Sequence, residues 1–131
     1  MSVVEGLWRA LLSIDWQGLL ELVNVVLASG IAIVSCAFLL YILIYSTRNE
    51  VAQSFAGLVA WVLVAYFADV ALFGVQDVQA ALPWLRLQWL GIAFTPASYL
   101  HFSDALLVST GDHARWRRIA VNASYVLSAL L

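Results

Sequence analysis

The chain has 131 residues, 64% of them apolar and 11% charged, with a net charge of −2. Soluble domains carry about 25% charged residues, so a soluble domain of this size could not cover so much apolar surface with so few charges. The weak net charge gives no electrostatic basis for nucleic-acid binding, and a single cysteine, Cys36, excludes an intrachain disulfide framework or a cysteine metal site. Within the apolar run AIVSCAFLLY, Cys36 reads as a small inert residue facing lipid or a neighbouring helix. These features predict an all-α, multi-pass transmembrane helix bundle forming one membrane domain over residues 1–131.

The first segment is too short to cross a bilayer. Ser2-Val3-Val4-Glu5 has the form of a capping box, and Val4, Leu7, Trp8, Leu11 and Leu12 follow at helical spacing. The pattern predicts a helix over residues 2–13 lying on the membrane surface, with Trp8 and Trp16 at headgroup depth. Extension of the next helix back through this region is interrupted by Ser13, Asp15 and Gly18. No secretory signal is present, because Glu5 and Asp15 stand where a basic region belongs.

Three complete spans follow, over residues 18–46, 52–76 and 83–110, each exceeding the ~20 apolar residues needed to cross. Thr47-Arg48-Asn49-Glu50 reads as a capping box for the second, with Thr47 as N-cap. Pro83 suits the first turn of the third, and Gly111 suits its stop. The short loops make sequential helices antiparallel neighbours. Residues 117–131 read as the front of a fourth span that further chain would complete. Arg48 and Arg115, Arg117 and Arg118 fall on one side, Arg9 and Arg86 on the other. The positive-inside rule then places the N-terminus outside and the third loop in the cytoplasm.

Small and polar residues form stripes along the predicted helices, as helix association in lipid requires. Asn24, Ala28, Ala32 and Ser35 share an arc of the first helix. Ser54, Gly57, Trp61, Ala65 and Asp69 share a face of the second, with Ala52, Ala56 and Ala60 beside it. Gln88, Gly91, Thr95 and Ser98 line the third. The stripes could equally meet further helices of the same protein, of a partner or of a second copy. Pro96 introduces a kink into the third helix.

Candidate chemistry lies in the ionisable groups inside the spans, because a charge in hydrocarbon is costly. Asp69 could hold a ligand, carry a proton or pair with a cation on a later helix; its structural alternative is a protonated acid bonded to Asn24 or Gln88. His101 and Asp104, at i and i+3, are neighbours able to hydrogen-bond or sense pH. The bland alternative is an interfacial polar cluster in which Asp104 meets Arg115 or Arg117. Two such groups do not make a metal site, and His113 lies beyond the span. The chain contains no phosphate loop, HExxH, GxSxG or H-E phosphoacceptor context, so it offers no catalytic motif and implies no cofactor.

The run PWLRLQWLGIAFTPASYLHFSDALL, residues 83–107, resembles the third helix of the seven-helix region found ahead of bacterial sensor histidine kinases. Trp61, Trp84, Arg86, Gly91 and Pro96 occupy the positions of that family's second-helix tryptophan, aromatic-basic turn and Gly-x-x-x-x-Pro element. The short first loop after Tyr45-Ser46-Thr47-Arg48 and the basic third loop fit the same pattern. The resemblance implies that this chain covers about four of seven helices and feeds a cytoplasmic signalling module. It establishes no ligand and no binding residue. The resulting expectation is a sensory input domain in the cytoplasmic membrane. The rivals are a small subunit or assembly factor of a membrane complex, and a fragment of a proton-coupled transporter using Asp69 and His101.

Overall fold

The computed structural model describes residues 15–46, 48–111 and 115–130. Four helices appear in chain order: α1, Trp16–Tyr45; α2, Glu50–Leu72; α3, Val78–Ser109; and α4, Arg115–Leu130. No strand occurs among the described residues. The expected surface helix over 2–13 falls outside them, as do Thr47, His113 and Leu131.

Capping chemistry sets the helix ends, and it departs from the sequence expectation at three of them. Asp15 is the N-cap of α1: its carboxylate accepts the Gly18 N–H at 3.1 Å, so the helix starts at Trp16, two residues earlier than expected. Asn49 is the N-cap of α2, in extended conformation with its side chain accepting from Val51 N at 3.0 Å. Glu50 is therefore the first helical residue, and the expected capping box with Thr47 as cap is corrected. Asp77 caps α3 through Gln79 N, which places Pro83 inside the helix rather than in its first turn.

The C-terminal stops are backbone effects. Helix α2 ends at Leu72 rather than near residue 76, where Phe73 N and Val75 N bond back to Val70 and Leu72 and Gly74 takes φ +87°. Gly111 closes α3 as expected, with φ +92° and its N–H on the Val108 carbonyl. Left-handed backbone of this kind favours glycine because it has no Cβ.

Two helices, α1 and α2, are long and apolar enough to cross a membrane. At ~1.5 Å rise per residue, their 30 and 23 residues reach about 45 and 35 Å, against a hydrocarbon core of about 30 Å. Helix α3, with 32 residues, is also long enough. Its composition is more polar, because Gln88, Thr95, Ser98, His101 and Asp104 interrupt its apolar run.

Each helix packs on the next in sequence, α1 on α2, α2 on α3 and α3 on α4, and the α2–α3 interface is the largest. The α2–α3 pairs Phe55–Phe102, Trp61–Phe94 and Phe67–Trp84 run in opposite senses along the two helices, which fixes them antiparallel. The interior is made of small residues: Ala28, Ala56, Ala68 and Ala97 are buried together with Ser35, Ser54, Ser98 and Gly91. Large apolar side chains point outward, with Leu20, Ile33 and Ile44 each about two-thirds exposed. Burial of that pattern is opposite to a soluble core and matches helices packed by close backbone approach.

The tightest point is Gly91. A Cβ there would lie 2.7 Å from Ala65 N and 2.9 Å from its Cα, so only glycine allows α2 and α3 to meet. Gly57, expected on the same seam, has nothing within 4 Å of such a Cβ, and Gly30 likewise faces open space. Gly91→Leu is expected to destabilise the fold by about 2 kcal/mol, the usual cost of overpacking. Gly30→Ala should stabilise it by up to about 1 kcal/mol through helix propensity. Denaturant midpoints followed by circular dichroism in mixed micelles check both.

Candidate functional site

The candidate residues Asp69, His101 and Asp104 lie in two clusters, one on either side of the Gly91–Ala65 contact. Residues 69 and 88 lie toward the α2–α3 loop; residues 98–104 lie toward the opposite end.

In the first cluster the Gln88 side-chain amide donates Nε2–H to Asp69 Oδ1 at 3.0 Å. Both residues are half-buried at the α2–α3 seam. Of the two partners expected for Asp69, the geometry selects Gln88; Asn24 is exposed on α1, although Ala28 and Ser35 of its stripe are buried and Ala32 half-buried. The antiparallel register explains the pairing. Gly91 meets Ala65, and one helical turn along α2 from Ala65 brings Asp69 level with Gln88. A cleft of about 630 Å³ opens beside them, lined by Ile31 of α1, Val62, Tyr66 and Asp69 of α2, and Gln88, Ile92, Thr95 and Pro96 of α3.

In the second cluster the two residues expected to pair with each other turn to α4 instead. His101 Nδ1 lies 3.3 Å from the Tyr125 hydroxyl, which also lies 3.4 Å from Ser98 Oγ. Asp104 forms an ion pair with Arg117, Nε to Oδ1 at 3.3 Å, and both side chains are largely buried. The expectation that Asp104 would meet Arg115 or Arg117 is resolved to Arg117. Arg118 and Arg48 are exposed. A cleft of about 670 Å³ separates α2 from α4 over this cluster, with Glu50, Ser54, His101, Asp104, Arg118 and Tyr125 in its walls.

Tyr125 carried no signal in the sequence. It belongs to no motif, and its role depends on how α4 docks against α3. Aromatic contacts reinforce that docking: Tyr125 meets the ring of Phe94, which in turn stacks on Trp61 at 4.7 Å. Trp61 thus sits in the seam, as its stripe implied, while Trp84 faces Phe67 on α2.

Two of the seam hydroxyls are satisfied within their own helix. Ser54 bonds the carbonyls of Glu50 and Val51, and Thr95 bonds Gly91 O at 2.7 Å. Such back-bonding lets a hydroxyl sit in apolar surroundings without an interhelical partner. Among the described residues no group of three or more His, Cys, Asp or Glu converges as a metal site would require. The arrangement can hold charge, exchange hydrogen bonds between helices and accept a small polar group in either cleft.

No family model, curated protein or solved structure matches the chain.

Tyr125→Phe removes both hydroxyl contacts and should lower stability by about 1 kcal/mol, the upper range for interhelical hydrogen bonds in membranes. A double-mutant cycle with Asp104→Asn and Arg117→Gln should give a coupling energy of about 1 kcal/mol. Unfolding midpoints of the four proteins measure it.

Proposed function

We propose that the chain is the membrane-embedded input domain of a bacterial signalling protein of the sensor histidine kinase kind, set in the cytoplasmic membrane with its N-terminus outside. The observation that supports this reading is the placement of two polar clusters at interhelical seams. Neither cluster forms a catalytic constellation, and each ties helices whose outer faces suit lipid. Hydrogen bonds and ion pairs between helices are elements with discrete alternative arrangements, which is what relaying a stimulus by repacking needs.

In this reading α1, α2 and α3 span the bilayer and α4 begins a fourth crossing. The polar residues of α3 suit a span because they turn toward α2 and α4. Arg48, Arg117 and Arg118 lie at one end of the antiparallel row, and Asp15, Asp77 and Arg86 at the other. That distribution supports the N-out orientation by the positive-inside rule. A second reading, a small subunit of a larger membrane complex, draws on the exposed outer faces of α1 and α4.

Orientation is tested in a Cys36→Ser background with single cysteines at Gln76 and Arg48 and a membrane-impermeant maleimide. Gln76→Cys should label in intact cells and Arg48→Cys only in inverted vesicles; the reverse pattern inverts the topology. Function is tested on the natural full-length protein in membrane vesicles, by phosphate incorporation from radiolabelled ATP. Autophosphorylation that changes in Tyr125→Phe or Asp104→Asn supports an input role. No incorporation, with the protein purifying in a stable complex with other membrane subunits, supports the second reading.

A further inference from the structure

Asp69 has one hydrogen-bond partner among the described residues, Gln88, and no cation contacts it there. It is a carboxyl group on a helix apolar and long enough to cross a membrane, where an ionised side chain requires a counter-charge or a proton. The cleft beside it is graded along its length. From Val62 to Asp69 it follows α2 for about 10 Å. Because α3 runs antiparallel, Asp69 and Gln88 lie at one end, and Val62, Thr95 and Pro96 at the other. The walls between are mostly apolar, Ala65 and Ile92 with Tyr66 the one polar residue among them.

Pro96 removes one backbone donor beside the same space. It has no N–H, so it cannot supply the usual bond to the carbonyl of Ile92, four residues earlier, and Ile92 also lines the cleft. Gln88 Oε1 and the Tyr66 hydroxyl are further acceptors along the wall. The cleft therefore offers one acid and several oxygen acceptors, with no basic side chain in its lining. Its volume of about 630 Å³ is that of a small-molecule site.

We propose that this cleft binds an amphiphilic organic ammonium ion, its charged head on Asp69 and Gln88 and its apolar body along Ile92 toward Pro96. The site rests on the membrane reading above in one respect: the ligand reaches the cleft from the bilayer. Charge complementarity selects this occupant. A lipid acyl chain or a neutral head group would leave the acid without a counter-charge, and an anionic head group would face the Asp69 carboxylate with no basic side chain in the lining.

The test compares 4-phenylbutylamine with its uncharged counterpart 4-phenylbutanol, binding to the natural protein in zwitterionic lipid nanodiscs. Titration calorimetry is corrected with empty nanodiscs. The amine should bind saturably at one site per chain and the alcohol about tenfold more weakly or worse, a difference of about 1.4 kcal/mol. Asp69→Asn keeps an acceptor for the Gln88 amide while removing the charge, so it should lose the amine preference with the helices still paired. Val62→Trp fills the apolar end and should abolish binding with Asp69 intact. Equal binding of amine and alcohol, or wild-type amine binding by either variant, overturns the proposal. Amine binding by a protein that incorporates no phosphate would sink the input-domain reading and leave the site standing. Phosphorylation altered by Tyr125→Phe with no amine binding would do the opposite.

Discussion

The close approach of Gly91 to Ala65 is the constraint on which the other contacts depend. In the membrane reading proposed above, helices gain nothing from burying apolar surface against each other, so they are held by dispersion at short range and by hydrogen bonds. A missing side chain at residue 91 lets the backbones of α2 and α3 come within van der Waals reach. Once that distance is set, the antiparallel register follows, and the remaining pairs fall into place on both sides. Trp61 stacks on Phe94, Phe55 meets Phe102, and Asp69 comes level with Gln88. A larger residue at 91 would separate all of them together.

The polar groups follow a consistent logic around that seam. The Ser54 and Thr95 hydroxyls bond carbonyls of their own helix, so they cost little wherever they face, whereas the Ser98 hydroxyl meets Tyr125 of α4. The charged and amide groups reach across to another helix instead: Gln88 to Asp69, and Arg117 to Asp104. The result is an inside-out distribution, with alanine, serine and glycine between the helices and leucine, isoleucine and valine on the surface.

The sequence made the helical class, the number of described helices and most of the buried small residues legible, because composition and four-residue spacing report directly on them. Ala28, Ser35, Ser54, Gly91 and Ser98 lie where their stripes indicated. Helix starts were harder. Asp15, Asn49 and Asp77 all cap through their own carboxyl or amide oxygen, where the pattern points to a start at residue 18, to Thr47 as cap and to Pro83 in the first turn. Asn24 shared an arc with buried residues yet is exposed, since a stripe at one-helix resolution does not say where the neighbour ends. The pairing of His101 and Asp104 with α4 was illegible for a related reason. Spacing along one helix shows which residues can touch each other, whereas the Tyr125 and Arg117 contacts depend on the phase at which a second helix docks.

Gly91 lies between the two polar clusters along α3, nearly three turns from His101 and less than one from Gln88. Mechanically, a rod pinned closer to one of its two polar clusters than to the other behaves as an unequal lever. A small displacement on the short arm, at Gln88, moves the long arm at His101 and Asp104 farther and in the opposite sense. Pro96 sits within the long arm and softens it by one missing hydrogen bond. The transmission ratio of such a lever is fixed by where the glycine stands, so moving that glycine one turn along α3 would change how far motion is amplified without altering either cluster.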